Sequence, residues 1–333
     1  MDRARRHPGR AGGFRLAPRY GLDKLAAMKT EVPAEIKESL PPSLWGKVLG
    51  MTPVVMAVIA TLLAGLSSSE MTKAQYARAL AAQQQSKAGD QWSFFQAKRL
   101  RGAIQSGTLD LLQLSTPARA VDAKGLEAQA AALPDAAASQ AALRFLLDGR
   151  LPESAAAPAP PPSVQAALAA MEEAAEGPDV NRLLEKPTPA EMALALRNAQ
   201  GAVRAFDAAL EPVIRGGDAL GDLLAPTGSA QAELSRDFAA LRLRYSSLRY
   251  DAEARLNQNI AVLHELQVRR SNLMAERHHL RSQRFFYGML GAQAAVIIAT
   301  LAMAARQRSL LWSIAALAGL IALFFAASVY LFL

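Results

Sequence analysis

Cysteine is absent from the 333-residue chain. That excludes disulfides, iron–sulfur clusters, thiolate metal sites and cysteine nucleophiles. Charge is absent from three long runs, Val48–Leu66, Phe285–Ala305 and Ser309–Leu333, of 19, 21 and 25 residues. About 20 apolar residues suffice to cross ~30 Å of hydrocarbon. A soluble core helix seldom avoids charge for so long, because one of its faces meets water. Three transmembrane helices are therefore predicted. The first run exceeds the usual apolar core of a secretory signal and follows Glu31, Glu35 and Glu38, so it is expected to stay in place as a span.

No Asp, Glu, Lys, Arg or His interrupts the spans. A pump or proton channel usually bears the ~2.5–3.5 kcal/mol that one would cost at mid-membrane, so transport is not indicated. Small residues at helix-pairing spacing (Gly46 and Gly50; Ala295 and Ala299; Ala318, Ala322 and Ala326) would let helices approach closely. G-x-S-x-G, Walker, H-E-x-x-H and G-x-G-x-x-G motifs are also missing. The expectation is a protein that is not an enzyme, with no cofactor, metal or catalytic residue.

The net charge is +8, but its placement argues against a nucleic-acid partner. Basic residues gather in the N-terminal tail, beside the apolar runs and along one polar helix, where they suit anionic headgroups. The membrane-interface candidates are His278, His279, Arg281 and Arg284 before the second span, with Arg306 and Arg308 in the three-residue link to the third. The excess of positive charge predicts a cytoplasmic N-terminus and link, and hence a periplasmic domain, in a bacterial inner membrane. Adjacent His278 and His279 diverge by about 100° on a helix and cannot chelate one ion.

Between the spans the composition changes. Residues 67–106 favour helix and are expected to continue the first span. Residues 107–187 are rich in Ala and Pro, with short helices and an extended stretch near Pro158–Pro162. Thr188-Pro189-Ala190-Glu191 signals a capped helix start, with turns expected at Gly216-Gly217 and Pro226. Residues 229–284 contain neither Pro nor Gly. There Leu234, Phe238, Leu241, Tyr245, Leu248 and Ala252 alternate spacings of four and three, as a coiled-coil seam does. The fold class follows: an all-α membrane protein, with three transmembrane helices and a long extramembrane antiparallel helical, coiled-coil-like domain.

Helices leaving the membrane at Ser67 and Arg284 should run antiparallel, pairing residues whose numbers sum to about 351. Trp92 and Phe95 would then lie near Leu256, Ile260 and Leu263. Gln91 would fall level with Asn257 and Asn259 in a polar layer that fixes register. Aromatics are only 6% of the chain, yet three of them cluster in the segment 90–98. Asp90, Gln91, Trp92, Phe95, Asn257 and Asn259 are thus the candidate structural or partner-binding layer.

Two stretches resemble a known family. Ser86-Lys87-Ala88-Gly89-Asp90-Gln91-Trp92 with Phe95-Gln96-Ala97-Lys98, and Tyr250-Asp251-Ala252-Glu253-Ala254 with Asn257, Arg277-His278-His279, Arg306 and Trp312, are similar to bacterial three-pass membrane proteins known as domain of unknown function 4337. The resemblance covers about 45–106 and 240–333. It implies architecture and no activity. Members of that family usually carry tyrosine where this chain has Phe94-Phe95. The Arg-, Gly- and Pro-rich residues 1–27 fall outside the resemblance, and Met28 is the expected natural start. A structural or interaction protein is the leading expectation, binding the bilayer and either further copies of itself or another membrane protein. An accessory subunit of a transporter or channel, and an enzyme with an unrecognised site, are the alternatives.

Overall fold

A computed structural model describes residues 44–115, 120–153, 158–173, 177–225, 229–304 and 308–332, with backbone alone at 44–48, 229–230 and 308. The basic tail, the expected start at Met28, Pro226 and Arg306 lie outside the described residues, as does the Arg308 side chain. Among the described residues there are eight helices and no strand: α1 Leu44–Leu114, α2 Ala123–Ala131, α3 Ala136–Asp148, α4 Pro162–Glu172, α5 Pro178–Glu185, α6 Pro189–Leu223, α7 Ser229–Ala304 and α8 Arg308–Phe332. Helices α1, α7 and α8 each carry a stretch long and apolar enough to cross a membrane. The protein is an all-α membrane protein with three transmembrane helices.

The chain divides into two compact units. The first comprises residues up to Ile59 with Ala292–Gly319. Its α7 segment buries Ala292, Ala295, Ala299 and Ala302, and its α8 segment buries Ala315. A side chain at Gly319 would meet Met56 at 3.3 Å. Val54, Val55, Val58, Ile297 and Leu301 point outward, the inside-out polarity that lipid as solvent requires. The small residues expected to face neighbouring helices therefore do so at 295 and 299.

The second unit, Ala60–Gly291 with Leu320–Leu333, is organised by α7. One face of α7 meets α1 through a heptad seam. Along α1 the positions turned inward include Leu63, Ser67, Glu70, Ala74, Ala77, Ala81, Gln84, Ala88, Gln91, Phe95, Lys98 and Gly102, alternating steps of three and four. Along α7 the same alternation runs through Tyr250, Ala254, Asn257, Ala261, His264, Val268, Ser271, Ala275, His278, Ser282 and Phe285. Ala is the commonest residue in both rows, so the backbones can come close there and few large side chains interlock.

Polar contacts fix the register. The Ser67 and Ser282 hydroxyls donate to each other's backbone carbonyls at 3.0 and 2.8 Å. Gln84 pairs with His264 at 3.0 Å, and the Ser106 and Ser247 hydroxyls lie 2.8 Å apart. The numbers of these partners sum to about 350, the antiparallel register expected from the membrane exits.

The other face of α7 packs on a cluster of shorter helices. Leu126, Leu143, Leu146, Phe206, Leu210, Val213, Phe238, Leu241 and Tyr245 form one core between α2, α3, α6 and the start of α7. Val164, Ala167, Leu184, Met192, Leu263 and Leu266 form a second between α4, α5, α6 and the middle of α7. The seam expected over 234–252 is thus real as an apolar stripe, but it faces this helical cluster rather than α1. Its Leu248 is 39% exposed.

The short helices expected in 107–187 are present and packed, and one further expectation changes. Low complexity in 107–187 does not prevent packing: the short helices there supply Leu126, Leu143 and Val164, each essentially without solvent exposure. Helix α6 starts at the expected capping box, with Thr188 and Glu191 exchanging bonds of 3.2 and 2.7 Å. It then continues past Pro212 and through the Gly216-Gly217 pair, where a turn was expected. The reason is helix contact: a Cβ on Gly216 would lie 2.7 Å from the Ala142 Cβ of α3. Glycine here serves close approach, not chain reversal.

Candidate functional site

Toward the end of the α1–α7 seam farthest from the spans, the two sequence stretches that carry the family resemblance meet. Lys98 of α1 donates to the Glu253 carboxylate of α7, and Arg99 donates to Asp251 at 3.3 Å. Glu253 is buried and also faces the Arg249 guanidinium at 3.3 Å. Both cations sit over the Tyr250 ring, Arg249 at 4.5 Å and Lys98 at 5.5 Å from its centroid. A buried carboxylate flanked by two cations, each stacked on one aromatic face, is an electrostatic lock, although the buried Arg249 Nε makes no hydrogen bond. Lys98, Arg249, Tyr250 and Glu253 were not among the candidates from sequence. Their signal was the coincidence of an acid in one resembling stretch with a base in the other, at matching heights.

The expected candidates fall in several places. Trp92 and Phe95 are half-buried and pack edge to face, with centroids 5.4 Å apart. Leu263 lies in the second core and Leu256 packs against the first. Gln91 and Asn257 both occupy seam positions at one level. No hydrogen bond joins them among the described residues: Asn257 donates to the Glu253 carbonyl at 2.7 Å, and the Gln91 Oε1 is buried without a partner. Asp90 is exposed. Asn259 is exposed too, and lines a cleft of about 400 Å³ with Pro158, Pro160, Leu168 and Leu256. Neither Asp90 nor Asn257 borders that cleft, so the sequence candidates do not converge on one pocket.

The polar layer lies instead at His264, whose Nδ1 is 3.0 Å from Gln84 and 3.2 Å from Gln267. Burial pushes the His264 pKa down, the Gln267 hydrogen bond opposes this, and the Lys87 charge adds to the lowering. The imidazole is therefore neutral at pH 7 and serves the seam as a hydrogen-bonding group.

Nearer the spans, His278 Nδ1 lies 2.7 Å from Glu70 of α1, and Lys73 donates to the same carboxylate at 2.6 Å. Burial raises the Glu70 pKa, but hydrogen bonds and charge from Lys73 and His278 outweigh it, so the net shift is downward. His279 contacts Gln283 at 3.1 Å. The three imidazoles thus engage three different sets of partners. Arg284 donates to the Ser328 carbonyl of α8 at 2.9 Å, tying the end of the third span to the start of the second. One turn on, Gly288 lets three helices converge: a Cβ there would lie 3.1 Å from the Ala322 carbonyl of α8 and 3.2 Å from Leu63 of α1.

A family model described as Domain of unknown function (DUF4337) matches residues 45–144. The match takes in the first span, all of the Ser86–Lys98 stretch, and α2 and α3 of the Ala/Pro-rich segment as far as Arg144. It extends beyond the N-terminal part of the expected resemblance and does not include 240–333. No curated protein and no solved structure matches the chain. The chain is thus a three-span, all-α membrane protein whose residues 45–144 are similar to a domain of unknown function.

Proposed function

We propose that this chain is a non-enzymatic structural or interaction protein of the bacterial inner membrane, a helical stalk that presents a packed helical cluster to partners. Its N-terminus lies in the cytoplasm and the helical domain in the periplasm. The partners are further copies of the chain or another membrane protein, with the lipid bilayer as solvent for the spans. Nucleic acid and cofactors have no part in this reading.

The observation that carries it is how the buried ionisable groups are used. Glu253 is held by Lys98 and Arg249, Glu70 by Lys73 and His278, and His264 by Gln84 and Gln267. Each group locks one helix to another or to its own next turn. Catalytic sites instead keep such groups poised toward a cavity for a reactant.

Two measurements test the reading. Alkaline phosphatase fused after Gly149 should be active, and fused ahead of Leu44 it should be inactive; the reverse pattern rejects the topology. Cross-linking of intact membranes followed by purification should recover the chain in stoichiometric association with itself or one membrane protein. Quantitative recovery as a lone chain would reject the interaction role.

A further inference from the structure

A cavity of about 550 Å³ lies between α1, α3, α6 and α7, within the ~300–1,000 Å³ usual for small-molecule sites. Leu146, Val213, Ile214 and Leu243 supply its apolar wall. From α7 it is lined by Arg242, Tyr245, Ser246 and Arg249, at the steps of three and four that share one helix face.

Two observations mark this space as a site rather than a packing gap. Tyr245 is 4% exposed, yet its buried hydroxyl has no hydrogen-bond partner among the described residues. A donor left unmet in this way costs stability unless something binds it. Burial pushes the Tyr245 pKa up to about 12, against the opposing Arg249 charge, so the hydroxyl keeps its proton and can donate. Gly217 of α6 also lines the cavity. It is buried, but a Cβ there would meet no packing partner within 4 Å. Its missing side chain leaves open space, the converse of Gly216 beside it.

We propose that this cavity binds a small carboxylate-bearing molecule with an apolar body. The carboxylate accepts from the Tyr245 hydroxyl and meets the Arg249 guanidinium, whose Nε is likewise buried without a hydrogen bond. The apolar body packs on Leu146, Val213 and Ile214. Charge favours an anion: Lys98 and Arg249 share the single carboxylate of Glu253, which leaves that group positive. Asp218 lines the cavity as well, but it is paired with Arg242, and both are about half exposed. Asp207 senses the same charges, yet it is exposed and does not line the cavity. Gln105, on the α1 side, lies about 38 residues past the membrane exit at Ser67, ~57 Å along a helix rising 1.5 Å per residue. The ligand therefore comes from water and not from the bilayer. The site is independent of the partners proposed above.

The probe is 3-phenylpropanoate, titrated by ligand-observed magnetic resonance onto the full chain in zwitterionic nanodiscs, with empty nanodiscs subtracted. Saturable binding is expected, with the neutral 3-phenylpropanamide at least about tenfold weaker. Tyr245→Phe should weaken binding about tenfold. Gly217→Leu should abolish it by filling the space, with the melting midpoint of the free chain unchanged or raised. Should Gly217→Leu lower that midpoint, Tyr245→Phe, which keeps the ring, decides the matter. Absent saturable binding, equal binding of acid and amide, or full affinity in Tyr245→Phe overturns the proposal. So does binding that survives Gly217→Leu. None of these results bears on the interaction reading, which falls separately if the native chain is recovered alone.

Discussion

Helix α7 buries two faces by two different chemistries. Toward the short helices it presents large apolar side chains, Phe238, Leu241, Leu263 and Leu266, which interlock with Leu143, Leu210 and Val164. Toward α1 it presents Ala254, Ala261, Ser271, Ala275 and Ser282, with His264, His278 and Glu253 as polar pins. The first face gains most of its stability from apolar area removed from water. The second gains less area and relies on close approach and specific pairs, so register matters more there than volume. One helix therefore serves as both core and ruler.

If this division is correct, the largest single loss comes from the apolar face. Leu210→Ala removes a side chain that is 1% exposed and should lower stability by ~2–5 kcal/mol. Chemical denaturation of the full chain in detergent, followed by Trp and far-ultraviolet signals, measures it. A loss below 1 kcal/mol would mean that the cluster is loosely packed.

On the seam the sign of the volume effect reverses. Ala261 has no solvent exposure, and Ala261→Leu should cost ~1–3 kcal/mol through overpacking. Its effect should appear first as loss of the α1–α7 pairing, with the short-helix cluster still cooperative. Equal loss in both regions would erase the distinction.

The pins come next. Lys98→Met leaves the buried Glu253 with Arg249 alone. The Lys98 side chain is 27% exposed, so solvent screening discounts the loss to about 1–2 kcal/mol. Adding Glu253→Gln should recover part of that loss, which a double-mutant cycle reads directly.

The smallest effect is a pH dependence. His264 has a folded pKa below its ordinary value of 6.5, first because of burial. Stability from keeping it neutral is complete above that ordinary value. It is lost as pH falls below 6.5 toward the folded pKa, because the unfolded chain binds the proton more readily. Melting of the native chain should weaken between pH 7 and 5 more than that of His264→Gln. Identical profiles would remove His264 from the account.

These comparisons also explain what the sequence made legible. The spans were visible because charge is missing from them, and the pairing because two helices leave the bilayer on one side. The apolar stripe at 234–252 was visible through ordinary hydrophobic periodicity. The α1–α7 seam was not, because Ala, Ser, Gln and Glu recur through it and carry little hydrophobic contrast with their surroundings. The same reason hid the packing of the Ala-rich helices α2–α4. The Gly216-Gly217 pair gave a turn signal that helix-to-helix contact overrode. Of the site candidates, Gln91 and Asn257 reached the seam because height along a helix is set by counting. Asn259 did not, since two further residues rotate a side chain by about 200° to another face.

The central claim is the register of α1 against α7, and paired cysteines in the cysteine-free chain test it most directly. Gln84→Cys with His264→Cys should close an intramolecular disulfide in membranes under mild oxidation. The same Gln84→Cys with Asn257→Cys or Ser271→Cys, each one heptad away, should not, because a disulfide spans only ~4.4–6.8 Å between Cα atoms. Failure at 84 and 264, or comparable yields one heptad away, would contradict the seam as described.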